Sequence, residues 1–393
     1  MNKDSEIFIE KVSVTPLHVP FTEETQELMR KGEGGLGMAL KSDRPWLGGD
    51  FVICEVQANT GEVGVGEAFV WPPETGLTSG MIITVMKDVL GEIVLGKNPF
   101  SLRALNNLMD RNLARNEVAK GMIDMACYDL VAKILGIPVY DLLGGSCVKE
   151  IPLSGLVPLM AIDHMVAVAN HFHGLGMKTL RLKLGRSVRF DREVVSAVRE
   201  SVGEKVRLRV DYNQAYTPDQ AIRGINAIEE FGIDFAEQPV TVDDFGGMAY
   251  VQKNVNVPLM AHEGCFGLVD IITLAEMGGI RVVGINGERP GGISLAMKAI
   301  DYASAKGLGV VLHNQPLGIG SAAMLHLAAS RFDDLGHDVE LLGDRMLEDD
   351  LVVDPIDFEG GSGKIPLGNG WGVVLDRGAL EKYATGKTAI LGI

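Results

Sequence analysis

The chain has 393 residues, of which 46% are hydrophobic and 22% charged, a composition typical of a soluble globular protein with a large core. Its 36 basic and 52 acidic residues give a formal net charge of −16, so we expect neither nucleic acid nor an anionic membrane surface as a partner. The four cysteines form no CxxC pair, which argues against a zinc site or a disulfide framework. The N-terminus has no apolar leader segment, and no later stretch reaches about 18 uncharged apolar residues, so we expect a cytoplasmic location.

The first 145 residues are predicted to contain strands and then helices. Residues 7–70 alternate between polar and apolar side chains, with a hairpin through Asn59-Thr60-Gly61. The glycine-rich segment 30–50, interrupted by Pro45, predicts a long loop. From about 80 to 145 the periodicity is helical, and it ends at Gly136 and Pro138. The apolar residues in the loop favour a lid over a solvated tail: Leu36, Met38, Leu40, Trp46 and Leu47.

From about residue 150, short β-rich runs alternate with amphipathic helical stretches. One predicted helix has Thr217 as N-cap and Pro218 at its first position, and Gly232 is its stop. Ala221, Ile222, Ile225 and Ile228 would line one face of this helix. About eight parallel strands with intervening helices favour a (β/α)8 barrel of the TIM type over the alternative, a doubly wound sheet. The predicted strands are IPLSGL, TLRLKL, VRLRVD, IDFAE, VPLMAHE, RVVGIN, LGVVLH and DVELL.

Polar residues recur at the ends of consecutive predicted strands. They are 23 to 28 residues apart, about one βα unit: Lys183, Asp211, Glu237, Glu263, Asn286 and His313. Strand ends converge on one face of a barrel, where three carboxylates would repel each other without a counter-charge. Oxygen ligands suit Mg²⁺ better than zinc, so we predict one Mg²⁺ per subunit. For each acid alone, the alternative is a structural residue at a strand end that caps the next helix.

Arg181 and Lys183 point the same way along their strand, because side chains alternate. Lys183 could act as a base if Arg181 and the metal lowered its pKa. The alternative is a solvated surface lysine. That reading fits poorly, because the neighbouring residues predict a buried strand: Leu180, Leu182 and Leu184.

The order and register of several motifs resemble the enolase superfamily, in particular its mandelate racemase and muconate-lactonising branch, over nearly the whole chain. The resemblance implies a modified barrel of residues 131–359 under an N-terminal α+β capping domain of residues 1–130, which residues 360–393 complete. It implies Asp211, Glu237 and Glu263 as metal ligands, and a homo-oligomer. Lys183 matches the second Lys of the family's Lys-x-Lys motif, with Arg181 in place of the first. The motifs are IDMACYDLVAKILGIPVYDLLGG (123–145), RLKLG (181–185), VDYNQ (210–214), FAEQP (235–239), PGGIS (290–294) and GKIPLGNGWGVVLD (363–376).

The far wall of the predicted site departs from the family pattern. Asn286 stands where the muconate-lactonising pattern has Lys and the mandelate racemase pattern has Asp paired with a His. His313 matches that His, and is either an acid/base, a hydrogen-bonding partner of the substrate or a satisfied core residue. Register favours Glu263 over His262 as the third ligand, and Glu340 resembles the acid that hydrogen-bonds the intermediate in mandelate racemase. Residues expected around the substrate or behind the ligands are Asn213, Asn286, His262, Glu340, Trp46 and Lys41.

These residues predict removal of the proton next to the carboxylate of a small-molecule substrate, with the enediolate stabilised by Mg²⁺. The apolar loop favours a racemase, an epimerase or a related isomerase, a class that includes cycloisomerases. With His313 as acid, the same site would permit dehydration of a hydroxy or sugar acid. A third alternative is a catalytically silent barrel that binds a carboxylate, which the loss of the pairing at Asn286 would explain.

Overall fold

The computed structural model describes residues 6–30, 46–314, 316–341 and 343–393. Most of the predicted lid, including Lys41, lies outside these residues, and Trp46 lies inside them. No helix in the described ranges is both long enough and apolar enough to cross a membrane.

A four-stranded antiparallel sheet and several helices form the N-terminal part of the protein. The order of the strands is β14-β1-β2-β3, so the last strand of the chain completes the sheet beside the first. A π-helical turn, Met86–Leu90, lies between α3 and α4. The elements are β1 (Ile9–Pro20), α1 (Glu23–Arg30), β2 (Gly48–Ala58), β3 (Val63–Val70), α2 (Pro72–Thr75), α3 (Ser79–Val85), α4 (Gly91–Val94), α5 (Leu102–Asn112), α6 (Glu117–Leu135) and α7 (Val139–Leu142).

Strands and helices alternate regularly through the rest of the chain. The elements are β4 (Glu150–Pro152), β5 (Ser154–Val157), α8 (Ile162–Gly174), β6 (Thr179–Lys183), α9 (Val188–Val202), β7 (Arg207–Asp211), α10 (Pro218–Asn226), β8 (Ile233–Glu237), α11 (Phe245–Asn254), β9 (Leu259–Ala261), α12 (Leu268–Glu276), β10 (Val282–Ile285), α13 (Ile293–Lys306), β11 (Gly309–Asn314), α14 (Gly318–Ser330), α15 (Phe332–Leu335), β12 (Glu340–Leu341), α16 (Gly343–Met346), β13 (Ser362–Lys364), α17 (Arg377–Tyr383) and β14 (Ala389–Gly392). Single 3₁₀ turns occur at Glu229–Phe231 and Glu359–Gly361.

The eight strands β5 to β12 form one parallel sheet that nearly closes into a barrel. Each strand pairs with its neighbour in chain order. The first and last strands approach each other at a bridge between Leu153 and Val339, where Ser154 N donates to Val339 O at 2.9 Å. The predicted barrel fold is therefore confirmed, and so is the hairpin between β2 and β3.

Helix α6 packs between the antiparallel sheet and the barrel. Fourteen of its nineteen residues are buried, as expected for a helix that is covered on nearly all sides. A Cβ at Gly64 of β3 would lie 2.0 Å from Ala126 O, and one at Gly121 would lie 2.3 Å from Glu288 O. Glycine at these two positions permits the close approach of α6 to both parts of the protein. Residue 130, the predicted domain boundary, lies inside this helix, and the two-domain division stays a prediction.

Three details of the predicted elements were wrong. Residues 23–30 form α1, a short polar helix that the strand pattern did not indicate. Residues 48–50, assigned to the long loop, belong to β2. Helix α10 starts at Pro218 as predicted, but it ends at Asn226, and Ile228 precedes a 3₁₀ turn that stops at Gly232.

Candidate active site

The polar side chains on three neighbouring strands lie at the same level of the barrel. Lys183, Asp211 and Glu237 are the last residues of β6, β7 and β8. Lys183 is in register with Asp211, and Asp211 with Glu237. Because the strands are parallel, these buried side chains meet at the carboxyl end of the barrel, where active sites of this fold lie.

Lys183 donates one hydrogen bond to a carboxylate and one to a side-chain amide. Its Nζ lies 2.5 Å from Asp211 Oδ2 and 2.6 Å from Asn213 Oδ1. Asn213 has a φ of 41°, in the left-handed region that Asn adopts more readily than most residues. Its Nδ2 donates to Glu263 Oε1 at 3.4 Å. Asn213 thus links Lys183 to Glu263.

Arg181 lies two residues before Lys183, deeper in the barrel, and joins the carboxylates of three strands. Its Nη2 donates to Glu237 Oε1 at 2.7 Å and also to Asp211, while Nη1 donates to Glu340. A planar guanidinium suits this role because it presents several donors at once. Arg181 and Lys183 share Asp211 as a partner, so the two cations predicted on β6 act on the same carboxylate.

The central carboxylates differ in how their environment affects ionisation. Burial opposes ionisation of Asp211, but Arg181 and Lys183 hold its pKa below the usual value. Burial raises the pKa of Glu237; Arg181 counteracts this shift and the charge of Asp211 adds to it. A further cation between these groups would favour the ionised form of both.

Two buried carboxylate oxygens at this site, Glu237 Oε2 and Glu263 Oε2, have no hydrogen-bond partner within the described part of the chain. Leaving such oxygens unpaired is unfavourable, and hard divalent cations prefer oxygen ligands. Asp211, Glu237 and Glu263 therefore form a donor set that fits Mg²⁺. A second group offers ligand atoms within 4.8 Å of one another and includes two imidazole nitrogens: Glu237, His262 and His313.

Asn286 lies one residue beyond β10 and contacts His262. The mandelate racemase pattern had suggested His313 as the partner of this position. Its Oδ1 lies 2.9 Å from His262 Nε2. The Nδ1 atom of the same ring lies 3.4 Å from Glu237 and 3.5 Å from Glu263. Burial opposes protonation of His262, but the neighbouring carboxylates of Glu74 and Glu263 raise its pKa.

His313 of β11 interacts with Arg181 and Glu340. Its Nε2 lies 2.8 Å from Arg181 Nη1 and 2.9 Å from Glu340 Oε1. Burial and the neighbouring His262, whose ring centroid is 4.1 Å away, lower the pKa of His313 to about 3. The imidazole is therefore neutral at pH 7.

Glu340 is fully buried at the start of β12, beneath the mouth of the barrel. Burial opposes its ionisation, but Arg181 and His313 hold its pKa well below the usual value. Its Oε2 also lies 3.3 Å from Ser154 Oγ and 3.3 Å from Arg209 Nη2. The predicted hydrogen bond between Glu340 and a reaction intermediate stays a prediction.

Trp46, which belongs to the described part of the predicted lid, is part of an aromatic wall. It stacks on Trp71 with ring centroids 5.0 Å apart, and Phe21 contacts it edge-on at 4.8 Å. Both tryptophans pack against Leu156 of β5. The wall places apolar surface of the antiparallel part next to the first strand of the barrel.

The sequence reasoning missed Glu74 and Arg289. Arg289 Nη2 donates to Glu74 and lies 3.1 Å from His262 Nε2. Although burial opposes ionisation, Arg289 and His262 lower the pKa of Glu74 to about 2. Arg289 directly precedes the PGGIS motif, which could have drawn attention to it, but nothing in the sequence around Glu74 indicated a role.

Comparison with known proteins identifies the family. Residues 47–144 match the profile of the mandelate racemase / muconate lactonizing enzyme N-terminal domain. Residues 164–379 match that of the enolase C-terminal domain-like family. The chain belongs to the mandelate racemase / muconate lactonizing enzyme family of the enolase superfamily.

Several members of this family are similar over most of the chain. A hydrophobic dipeptide epimerase of Enterococcus faecalis is 34% identical over 72% of this chain and 80% of its own. A chloromuconate cycloisomerase of Delftia acidovorans is 30% identical over 85% and 91%. The crystal structure of a dipeptide epimerase from Enterococcus faecalis V583 with Mg and the dipeptide L-Leu-L-Tyr has a TM-score of 0.83 and 29% identity, and it covers 93% of this chain and 99% of its own.

Relatives within the mandelate racemase / muconate lactonizing enzyme family are epimerases, racemases and cycloisomerases. The predicted family, the barrel with its capping part and the assignment to the enolase-superfamily enzymes are therefore confirmed. This agrees with the general chemistry predicted for the site, abstraction of an α-proton with the help of Mg²⁺.

Proposed function

We propose that this protein is a Mg²⁺-dependent racemase or epimerase that acts on the α-carbon of an amino acid whose amino group is acylated, as in a dipeptide. The observation that carries the proposal is the arrangement of Lys183 beside three buried carboxylates, two of which have an unpartnered oxygen. The relatives whose names include dipeptide epimerase and N-succinyl-L-Arg/Lys racemase support the substrate class.

Asp211, Glu237 and Glu263 are the proposed metal ligands. The set of oxygens suits Mg²⁺ better than Glu237, His262 and His313, whose two nitrogens would favour a softer metal. A relative solved with Mg supports the choice of ion. When bound, Mg²⁺ supplies positive charge opposite the substrate carboxylate. One ion per subunit and assembly into a homo-oligomer are further parts of the proposal.

Lys183 and His313 are the proposed acid/base pair. They lie on β6 and β11, the second and seventh strands of the barrel, so they approach the mouth from different walls. His313 is a neutral imidazole that can accept the α-proton of one enantiomer. The Lys183 ammonium, held by Asp211 and Asn213, can deliver a proton to the opposite face. In the reverse direction Lys183 removes the proton and His313 returns one.

The test is proton NMR in D₂O with Mg²⁺ on a panel of dipeptides, N-acylated amino acids, α-hydroxy acids and sugar acids. We expect the wild-type protein to exchange the α-proton of a dipeptide or N-acylated amino acid and to invert its configuration. A dehydrated product from a hydroxy acid would instead identify a dehydratase.

Two variants separate the roles of the proposed pair. Lys183→Ala should lower the rate of inversion by at least about 1,000-fold, since general acid–base groups contribute rate factors of this order. His313→Asn should abolish inversion and leave solvent exchange from one enantiomer. The control Lys205→Ala removes an exposed lysine and should leave both rates unchanged. Equal inversion rates in Lys183→Ala and wild type would contradict the proposal.

A further inference from the structure

A cavity of about 520 Å³ opens beside the carboxylate site, between the loop after β3 and the loops after β8 and β9. Glu74 and Glu263 belong both to its wall and to the cluster around His262, whose Nδ1 lies 3.5 Å from each of them. The cavity is therefore continuous with the candidate active site.

The wall of this cavity carries an excess of negative charge. Beside Glu74 and Glu263 it contains Glu117, Asp243 and Asp270, and its one basic residue is Arg115. Arg289 neutralises Glu74 from behind the wall. Arg115 is 74% exposed and lies 4.0 Å from Glu117 and 3.9 Å from Asp270, distances at the limit of an ion pair.

Two acids of the cavity wall converge from different elements. Glu117 begins α6 and Asp270 lies in the first turn of α12, and each side chain is only 17% exposed. A Cβ at Gly267 would lie 3.6 Å from Glu117 Oε1 and 3.7 Å from Asp270 Oδ2, so both carboxylates face the same small space. Phe245 and Phe266 add aromatic surface to the wall. Carboxylates together with aromatic rings are the chemistry that binds an ammonium or guanidinium group.

Glu263 connects the cavity to the proposed metal site. It lines the cavity, is 4% exposed, and its Oε2, which accepts no hydrogen bond from the residues that the structure describes, is one of the oxygens assigned to Mg²⁺, so a substrate whose carboxylate lies at the metal can extend into the cavity. We infer that the cavity binds a positively charged distal group of the substrate, such as a lysine or arginine side chain, while the α-carboxylate lies at the carboxylate site. This inference rests on the proposed function and specifies its substrate class.

An anionic distal group is the opposite possibility, since Arg289 is also close. Arg289, however, is not among the residues that line the cavity. Its Nη2 donates to Glu74, and its guanidinium packs 5.1 Å from the Phe266 ring and is 3% exposed. Glu117 and Asp270, by contrast, have within the described residues only the exposed Arg115 as a cationic partner, at 4.0 and 3.9 Å. The charge balance therefore favours a cation.

The experiment is calorimetric titration of L-Ala-L-Lys, L-Ala-L-Leu and L-Ala-L-Glu into the Lys183→Ala variant with Mg²⁺, because this variant should not convert the probes during the titration. We expect L-Ala-L-Lys to bind at least about tenfold more tightly than L-Ala-L-Leu, and L-Ala-L-Glu to bind most weakly. The preference should shrink at high salt, since the carboxylates of Glu117 and Asp270 are partly accessible to counterions. The same titrations with wild-type protein serve as a check on the fold of the variant.

Changes to the cavity wall test where the preference arises. Glu117→Gln together with Asp270→Asn should reduce the preference for L-Ala-L-Lys by at least about fivefold. The matched change Glu381→Gln together with Asp219→Asn, at exposed positions outside the cavity, should leave it unchanged.

The outcomes separate this inference from the proposed function. Absence of binding, equal binding of the three probes, tighter binding of L-Ala-L-Glu, or a preference that survives the double change would overturn the inference. Preferential binding of L-Ala-L-Lys without α-proton exchange in the wild-type protein would overturn the proposed function and support the cavity as a cation site.

Discussion

Two sets of buried carboxylates can be compared in this protein. One set lies at the seam between the antiparallel part and the barrel: Glu67, Asp124 and Asp129. The other lies at the mouth of the barrel: Asp211, Glu237 and Glu263. Every carboxylate oxygen of the seam set accepts a hydrogen bond, whereas two oxygens of the mouth set have no partner within the described residues.

Backbone N–H groups donate hydrogen bonds to the carboxylates at the seam. Asp129 accepts from Val65 N and Trp371 N, both at 2.8 Å, and from Lys133 Nζ at 2.6 Å. Its partners thus come from β3, the C-terminal segment and its own helix. Since backbone donors are fixed by the fold, a carboxylate that joins three segments in this way stabilises their arrangement.

Burial by itself does not distinguish the two sets. It raises the pKa of Asp124 and Asp129 at the seam, and also that of Glu237 at the mouth. The difference lies in the hydrogen-bond partners. At the mouth, Arg181, Lys183, Asn213 and Gln214 donate to some of the carboxylate oxygens, but two oxygens have no partner within the described residues. Unsatisfied oxygens, and not a raised pKa, therefore mark the carboxylates of this protein that are available to a ligand.

The largest expected effect is loss of activity in Asp211→Asn. This change removes a proposed metal ligand and the shared partner of Arg181 and Lys183. We expect α-proton exchange to fall by at least about 1,000-fold. Mg²⁺ should raise the melting temperature of the wild-type protein but not that of the variant. An ion stabilises the folded state only when it binds to it, and the variant has lost a proposed ligand.

The matched control for Asp211→Asn is Asp129→Asn at the seam, which should retain both the Mg²⁺ effect and the exchange rate of the folded protein. If Asp211→Asn kept the Mg²⁺-dependent α-proton exchange of the wild type, Asp211 would not be a metal ligand. The proposed difference between the metal-binding carboxylates at the mouth and the structural carboxylates at the seam would then be wrong.

The sequence predicted the mouth of the barrel better than the seam. Residues at the ends of regularly spaced strands must share one level, so the positions of Lys183, Asp211 and Glu237 followed from periodicity alone. The register of the strands fixes the height of a side chain along the barrel axis, but it does not determine which neighbouring side chain it contacts at that height. For this reason the contact of Asn286 with His262, and of His313 with Glu340, could not be predicted.

Contacts between distant segments were also beyond the sequence. Glu74 and Arg289 are 215 residues apart, and only the packing of the antiparallel part on the barrel brings them together. Helix α1 was missed for a local reason, since its eight residues, EETQELMR, are mostly polar and follow a long strand. The hairpin and α6 were predicted because turn residues and a long apolar helix give strong local signals.

The second expected effect is loss of stability in Asp129→Asn. The amide retains one acceptor but turns an NH₂ group towards backbone donors, which leaves buried groups unpaired. We expect the free energy of unfolding in urea to fall by about 3 kcal/mol. The control Asp219→Asn, at an exposed position of α10, should change it little. A similar loss in both variants would mean that the seam hydrogen bonds do not stabilise the fold.

The smallest expected effect is a change in pH dependence in Glu67→Gln. Glu67 accepts hydrogen bonds from Leu317 N at 2.6 Å and Gly320 N at 2.9 Å, at the start of α14. Burial raises its pKa from 4.5 to about 8 in the folded protein. The folded state therefore binds a proton that the unfolded state has released. The contribution of Glu67 to stability is complete below about pH 4.5 and is lost as the pH rises towards 8.

Urea unfolding at several pH values between these limits measures the effect. The free energy of unfolding of the wild-type protein should fall relative to that of Glu67→Gln by about 1 kcal/mol for each pH unit, because glutamine does not titrate. Glu381→Gln, at an exposed position, should run parallel to the wild type. If Glu67→Gln also ran parallel, Glu67 would be ionised throughout, and the backbone donors of α14 would outweigh the cost of burial. The seam would then hold its carboxylates as anions, and the comparison with the mouth would rest on the presence of unpartnered oxygens alone.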